Sequence, residues 1–281
     1  MTKLELGSIG VSVSPAKGND FLDATAELAE LGYSTIWLAG GRLESLAQIG
    51  EVVRATRSAR IGSGIISVDR FAREAVAATY AEIEAEQPGR FVLGLGGAHG
   101  PRPLGTLTSY LDALDSMPPT VPRAARVLAA LGARMLQLAR DRAAGAYPFM
   151  VTPAYTAQAR SLLGDDAALV VGQFVIVETD PERARELARG PLWFMTARGG
   201  GYAANLRRMG FSDEEITQLS DRLVDAVVAW GDLDTVAARV SEQLGAGADQ
   251  VVLSVLAAGP QGSLPVEQWR QLARALIRES P

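Results

Sequence analysis

Gly89-Arg90-Phe91-Val92-Leu93-Gly94-Leu95-Gly96-Gly97-Ala98-His99-Gly100 is a short apolar strand that runs straight into a glycine-rich turn, and the turn carries the only histidine of the chain. Glycines let a backbone come close to a ligand and adopt conformations that other residues avoid. Parallel α/β sheets and barrels hold their ligands at the C-terminal ends of their strands. A histidine just past such a turn therefore has two readings, a ligand-facing group at the open end of a strand or a solvated residue of a tight strand-to-helix turn. The sequence on either side of the motif extends the first reading to the whole chain.

Apolar runs alternate with helix-period stretches in both directions from it. The predicted strands are Leu6–Val13, Tyr33–Ala39, Arg60–Val68, Arg90–Gly96, Ala125–Leu131, Ala146–Val151, Leu169–Glu178 and Gln250–Ala257. Between them the spacing predicts helices over Asp20–Leu31, Leu43–Arg57, Arg73–Glu86, Leu107–Ser116, Ala133–Ala144 and Pro153–Leu163, several helices from Pro181 to Ala248, and a last one from Pro265 to Arg278. Thr152-Pro153 and Asp180-Pro181 look like a helix cap followed by proline at the first helical position. Ser212-Asp213-Glu214-Glu215 has capping-box spacing. Strands such as Ile61–Ile66 are apolar rather than alternating, which suits a parallel sheet covered on both faces. Eight strands with helical crossovers spell an α/β fold of the (β/α)8 TIM-barrel type, in one domain over residues 1–281, with a helical elaboration between strands 7 and 8. An open doubly wound sheet would carry Gly-x-Gly-x-x-Gly after its first strand, and Ser14-Pro15-Ala16-Lys17-Gly18 does not. The segment Ala125–Leu131 reads equally well as a helix extension.

Composition narrows the chemistry. A net charge of −5 and a pI near 5.1 leave no electrostatic footprint for nucleic acid. No apolar run is long enough to span a bilayer, and Met1–Glu5 lacks the basic and apolar regions of a secretory signal, so we expect no membrane association and a cytoplasmic location. With no cysteine there is no thiolate nucleophile and no Cys-based metal site. Lysine occurs only at Lys3 and Lys17, neither of them on a late strand where a Schiff base would form. One histidine cannot assemble a His-cluster metal centre, and no Gly-x-Ser-x-Gly elbow is present. A bound organic cofactor that brings its own reactivity fits what remains.

Three segments carry a family resemblance: Ile61–Val68 with Arg73–Gln87, Gly89–His99, and Leu128–Ala139 with Ala144-Gly145 after it. In this order they resemble the luciferase-like monooxygenases, barrels of the bacterial-luciferase type, and look closest to the F420-dependent oxidoreductase branch. The resemblance spans nearly the whole chain. It implies a cofactor ring at the C-terminal mouth of the barrel, pressed by a bulge at the end of the third strand that often contains a non-proline cis peptide. The matching positions are Gly64, Ile65 and Ile66. It places Gly96, Gly97 and Ala98 beside the ring or its side chain, and Leu131, Gly132, Ala133 and Arg134 at the cofactor phosphate, where a helix terminus attracts anions. His99 is the catalytic candidate, since its ordinary pKa suits proton transfer.

The expected activity is hydride transfer between coenzyme F420 and a small organic substrate. The alternatives are an FMN-dependent monooxygenase and a catalytically silent ligand-binding or partner subunit; we expect a homodimer. Arg70 and Arg73 are candidates for an anionic cofactor tail, and Phe149, Met150 and Trp193 for apolar pocket walls. One departure stands out. The second strand ends in Leu38-Ala39-Gly40-Gly41-Arg42, where many F420 enzymes carry acidic and histidine residues, so a mechanism that uses those groups does not transfer.

Overall fold

Each apolar run becomes a strand of one parallel sheet that closes on itself. The structure is a computed structural model and describes residues 3–197, 201–259 and 263–277. The strands are β1 Ile9–Val13, β2 Thr35–Ala39, β3 Arg60–Gly64, β4 Ile66–Ser67, β5 Phe91–Gly96, β6 Arg126–Leu128, β7 Gly145–Ala146, β8 Ala168–Val177, β9 Val228–Gly231 and β10 Gln250–Val255. The sheet runs β10-β1-β2-β3-β5-β6-β7-β8, and β10 pairs with β8 to close an eight-stranded (β/α)8 barrel. The short β4 continues β3 beyond Ile65 and pairs with β5.

The helices are α1 Asn19–Glu30, α2 Ala47–Ala55, α3 Arg73–Glu86, α4 Pro103–Ser116, α5 Ala133–Arg142, α6 Pro153–Leu163, α7 Pro181–Thr196, α8 Gly201–Arg208, α9 Asp213–Gln218, α10 Asp221–Val227, α11 Leu233–Gly245 and α12 Val266–Leu276. The caps read from the sequence form. The Thr152 side chain accepts from Tyr155 N–H, Asp180 accepts from Glu182 and Arg183 N–H, and both bonds of the Ser212–Glu215 capping box are made.

Several boundaries differ from expectation; the expected strand Ala146–Val151, for one, reduces to the two-residue β7 Gly145–Ala146. Residues 43–46 are not helical, because the Gln48 side-chain oxygen accepts from the N–H groups of Glu44 and Ser45 and holds that stretch as a turn. The fourth crossover helix starts earlier, at Pro103, whose missing N–H costs nothing at a first helical position. Ala125–Leu131 reduces to the three-residue strand β6, preceded by a 3-10 turn over Arg123–Ala125. The segment from Pro181 to Ala248 is not helical throughout, since it contains β9. The reason lies in β8, which has ten residues while its partner β7 has two. Its last residues, Phe174–Val177, would show unpaired backbone groups, and β9 satisfies them in parallel register. The predicted helix end at Arg278 lies outside the described residues.

Side chains alternate between the barrel interior and the helix layer. Leu6, Trp37, Val92, Val127, Val170 and Val252 form the interior cluster, while neighbours such as Ile36, Leu38, Ile61, Leu93 and Leu128 pack outward into the main core. A polar plug closes the bottom. The indole N–H of Trp37 donates to Gln250 Oε1 at 2.9 Å, and the Gln250 amide donates to Leu6 O at 2.7 Å and Thr35 Oγ1 at 3.2 Å. Large inward rings face glycines on adjacent strands. A Cβ on Gly62 would lie 2.4 Å from the Trp37 ring, and one on Gly172 would lie 2.4 Å from the Phe149 ring. The helical excursion α7–α10 builds a second core with Met150, Phe174 and Ile176, which fixes it beside the ends of β7 and β8.

Candidate active site

The C-terminal mouth is shaped by a ridge, a shelf and a helix terminus. The ridge is Gly64-Ile65, joined by a cis peptide bond between β3 and β4. The Ile65 side chain points inward, and its Cδ1 lies 3.1 Å from the position a Cβ on Gly96 would take. The Ile65 carbonyl points at Gly40, at the end of β2; a Cβ there would fall 1.6 Å from that oxygen. The glycine found in place of an acidic or histidine residue is thus the space into which the ridge folds. Ile66 differs from its two neighbours, since its side chain is buried in the helix-facing core and only Gly64 and Ile65 are presented at the mouth.

Gly96 and Ala129 make the shelf. A Cβ on Gly96 would stand 2.7 Å from the Ala129 Cβ, so any larger residue at either position would fill the floor. Gly97 continues it with φ +72°, and a side chain there would meet Ser67 Oγ at 2.7 Å. Ala98 is half-buried. His99 lies at the rim with its side chain 80% exposed. Asp69 holds it twice, accepting from His99 N–H at 2.8 Å and lying 3.0 Å from Nδ1. That contact favours the tautomer protonated on Nδ1 and leaves Nε2 as the free ring nitrogen.

Beyond the shelf the chain reaches the first turn of α5. Gly132 caps it with extended backbone and no side-chain bond, so the leading N–H groups at Ala133, Arg134 and Met135 have no intrahelical partner. The buried Tyr155 hydroxyl donates to Leu131 O at 2.7 Å and fixes the entry. Arg134 is exposed and makes no hydrogen bond or ion pair among the described residues. Arg208, from α8, brings Nη2 to 3.8 Å from the Cβ position of Gly132, and donates to Asn205 Oδ1 at 3.0 Å. Burial pushes the Tyr155 phenol up, and Arg208 opposes that shift.

An aromatic wall faces the ridge. The Tyr147 and Trp37 rings are 4.7 Å apart, Phe149 and Phe174 are 4.6 Å apart, and Tyr202 meets Phe149 edge-on at 6.5 Å. Of the expected pocket walls only Phe149 is here. Met150 is buried in the second core and Trp193 points to solvent, 61% exposed. Arg70 donates to Gly40 O and Leu43 O and so braces the ridge from outside, and Arg73 pairs with Glu74. Sequence reasoning does not reach Tyr147, Tyr202 or Arg208. The inward parity of Gly145 and Tyr147 is a usable signal for the first; the other two sit on an excursion helix and carry none.

Two clefts lie near the strand ends, about 300 Å³ between α7 and the end of β10, and about 620 Å³ between the ends of β8 and β9 and α12. Neither is lined by Gly64, Ile65, Gly96 or Gly97, and we place the site on the ridge because three independent elements converge there. Among the described residues no group of three or more acidic or histidine side chains could hold a metal, and no helix is long and apolar enough to cross a membrane.

No family model matches the sequence, and no curated protein matches it. Solved structures do. The F420-dependent tetrahydromethanopterin reductase from Methanopyrus kandleri superposes with TM-score 0.75 at 17% identity, over 97% of this chain and 99% of that one. An F420-dependent secondary alcohol dehydrogenase, solved with an F420-acetone adduct, gives TM-score 0.74 at 14% identity over 99% and 100%. The oxygenating component of 3,6-diketocamphane monooxygenase from Pseudomonas putida, in complex with FMN, gives 0.64 at 11% identity over 96% and 99%. Over nearly its whole length the chain therefore has the (β/α)8 barrel fold shared by these two F420-dependent enzymes and the FMN-bound monooxygenase component.

Proposed function

We propose that this chain is an F420-dependent oxidoreductase that exchanges a hydride with a small organic substrate. The observation that carries the reading is the convergence at one mouth of the Ile65 ridge, the side-chain-free shelf at Gly96-Gly97, and the uncapped N-terminus of α5 flanked by two arginines. These features suit a flat ring with a phosphorylated tail. A planar ring needs a floor without side chains and a ridge to press one face, which Gly96, Ala129 and Ile65 offer. A phosphate needs free N–H groups and cations, which the first turn of α5, Arg134 and Arg208 offer.

When bound, the deazaflavin or flavin supplies the hydride chemistry; the chain's own residues bind, orient and exclude water. Gly64 and Ile65 would support the ring, Leu131–Arg134 would hold the tail, and the half-buried wall of Tyr147, Phe149 and Tyr202 would keep water from the site. His99 is proposed as the rim group that passes protons between solvent and the site through Nε2, while Asp69 fixes its orientation. The better superposition of the two F420-dependent enzymes supports F420 over FMN. An FMN-dependent monooxygenase is the second reading, favoured by the FMN-bound neighbour on the same barrel.

Spectroscopic titration of the protein with F420 and with FMN tests this. Saturable binding of F420 and weak binding of FMN is the expected result. Tight FMN binding turns the assignment to the monooxygenase. Binding of neither leaves a silent barrel and overturns the proposal.

A further inference from the structure

The mouth has a chemical character of its own, and the ligand preference inferred from that character rests on its reading as an oxidoreductase site. The inward positions at the strand ends carry no carboxylate, imidazole, ammonium or guanidinium group. They are Ala39, Gly64, Gly96 and Ala129 on one side, and Ser12, Ser254, Tyr147 and Phe174 on the other, with Ser12 and Ser254 paired in register. Tyr147, Phe149 and Tyr202 are each half-buried. The Tyr147 hydroxyl lies 3.5 Å from the Cβ position of Gly64, beside the ridge. Neither it nor the Ser12, Ser254 or Tyr202 hydroxyl makes a hydrogen bond among the described residues.

We propose that this mouth selects an uncharged substrate with an aromatic or alicyclic body and one carbonyl or hydroxyl oxygen, and that the Tyr147 hydroxyl donates the hydrogen bond that orients that oxygen. The rings of Phe149 and Tyr202 offer edge and face contacts to such a body. A carboxylate entering the same space would lose its hydration and meet no inward cation. A phenol left unbonded against the ridge is a donor waiting for an acceptor, and a ligand that lacks one leaves it unpaired. A phenol is a protonated donor at neutral pH in its ordinary range, and burial, with Tyr202 adding to it, pushes the Tyr147 phenol further up.

Calorimetric titration of the full chain with acetophenone, benzoate, benzylamine and toluene tests the proposal. Acetophenone is expected to bind, with benzoate and benzylamine at least about tenfold weaker. Tyr147→Phe is expected to weaken acetophenone about 3- to 10-fold and to leave toluene unchanged, which reads the hydrogen bond apart from the shape of the pocket. With inorganic phosphate present to fill the anion site at the first turn of α5, benzoate or benzylamine binding as tightly as acetophenone overturns the proposal, as does no acetophenone binding at its solubility limit. So does a Tyr147→Phe protein that binds acetophenone as wild type does, or that loses acetophenone and toluene equally. The wild-type comparison stands even if the variant does not fold. Repeating the titrations with F420 or FMN present separates the two claims, because failure of both cofactors to bind removes the oxidoreductase reading while the ligand preference is still scored on the chain alone.

Discussion

Gly40→Ala is the substitution whose outcome the geometry fixes most tightly. The new Cβ would fall 1.6 Å from Ile65 O and 2.5 Å from Ile65 C, both backbone atoms of the ridge. Real Cβ contacts do not come under 3.0 Å, so the ridge or the turn after β2 must move by about 1.4 Å. No flexible side chain can absorb that movement, which places the cost at the upper end of the overpacking range, about 3 kcal/mol. For a chain of this size that is a fall in melting temperature of roughly 6 to 12 °C. Gly41→Ala is the matched control. Nothing lies within 4 Å of its Cβ position and its backbone needs no left-handed conformation, so the same change one residue later should stabilise by about 0.4–1 kcal/mol through the unfolded chain. Differential scanning calorimetry of the two variants reads the contrast, and a cofactor titration reads whether the displaced ridge also weakens binding. If Gly40→Ala melts with wild type and binds as wild type does, the reading of Gly40 as space for the ridge is wrong.

Ser212→Ala removes the side-chain half of the capping box on α9, the bond from Glu215 N–H to Ser212 Oγ, and should cost about 1 kcal/mol in urea unfolding, most of it local to the excursion. The Arg222 guanidinium, with help from Ser212 N–H, holds Glu215 down to about 2. A carboxylate depressed in the folded state stabilises above its unfolded pKa, near 4.5, and the stabilisation is lost as pH falls toward 2. The stability difference between wild type and Glu215→Gln should therefore be full at pH 7 and shrink below about 4.5, as thermal melts across pH will show. His99→Ala should leave the melting temperature nearly unchanged, since the side chain is 80% exposed, while weakening cofactor binding or turnover; His99→Asn, which keeps hydrogen-bonding capacity but does not titrate near neutral pH, separates positioning from proton transfer.

The barrel was legible because its strands are apolar, separated by helix-sized stretches and bounded by turn chemistry, and because the caps at Thr152, Asp180 and Ser212 act within a few residues of themselves. β9 was not legible. Its four residues continue the apolar run of α10, and only the overhang of β8, a tertiary fact, makes them a strand. The ridge position followed from the resemblance, but the reason for Gly40 did not, since the Ile65 carbonyl that occupies its Cβ space comes from another strand. Arg208 belongs to the same class. It reaches the first turn of α5 from an excursion helix far along the chain, and no local pattern announces that contact. Ile66 shows the opposite limit, a residue next to the ridge whose side chain the strand alternation sends into the helix layer.

That the mouth and the first turn of α5 form one site for a phosphorylated deazaflavin or flavin is tested most directly by equilibrium titration. The affinity of F420 is compared with that of its phosphate-free deazaflavin core, and the affinity of FMN with that of riboflavin, on the same protein. If the free N–H groups of α5 with Arg134 and Arg208 hold the phosphate, the phosphorylated member of the pair that binds should be tighter by about 10- to 100-fold, with one equivalent bound per chain. Equal affinity with and without the phosphate, or no binding by any of the four, would contradict that assignment.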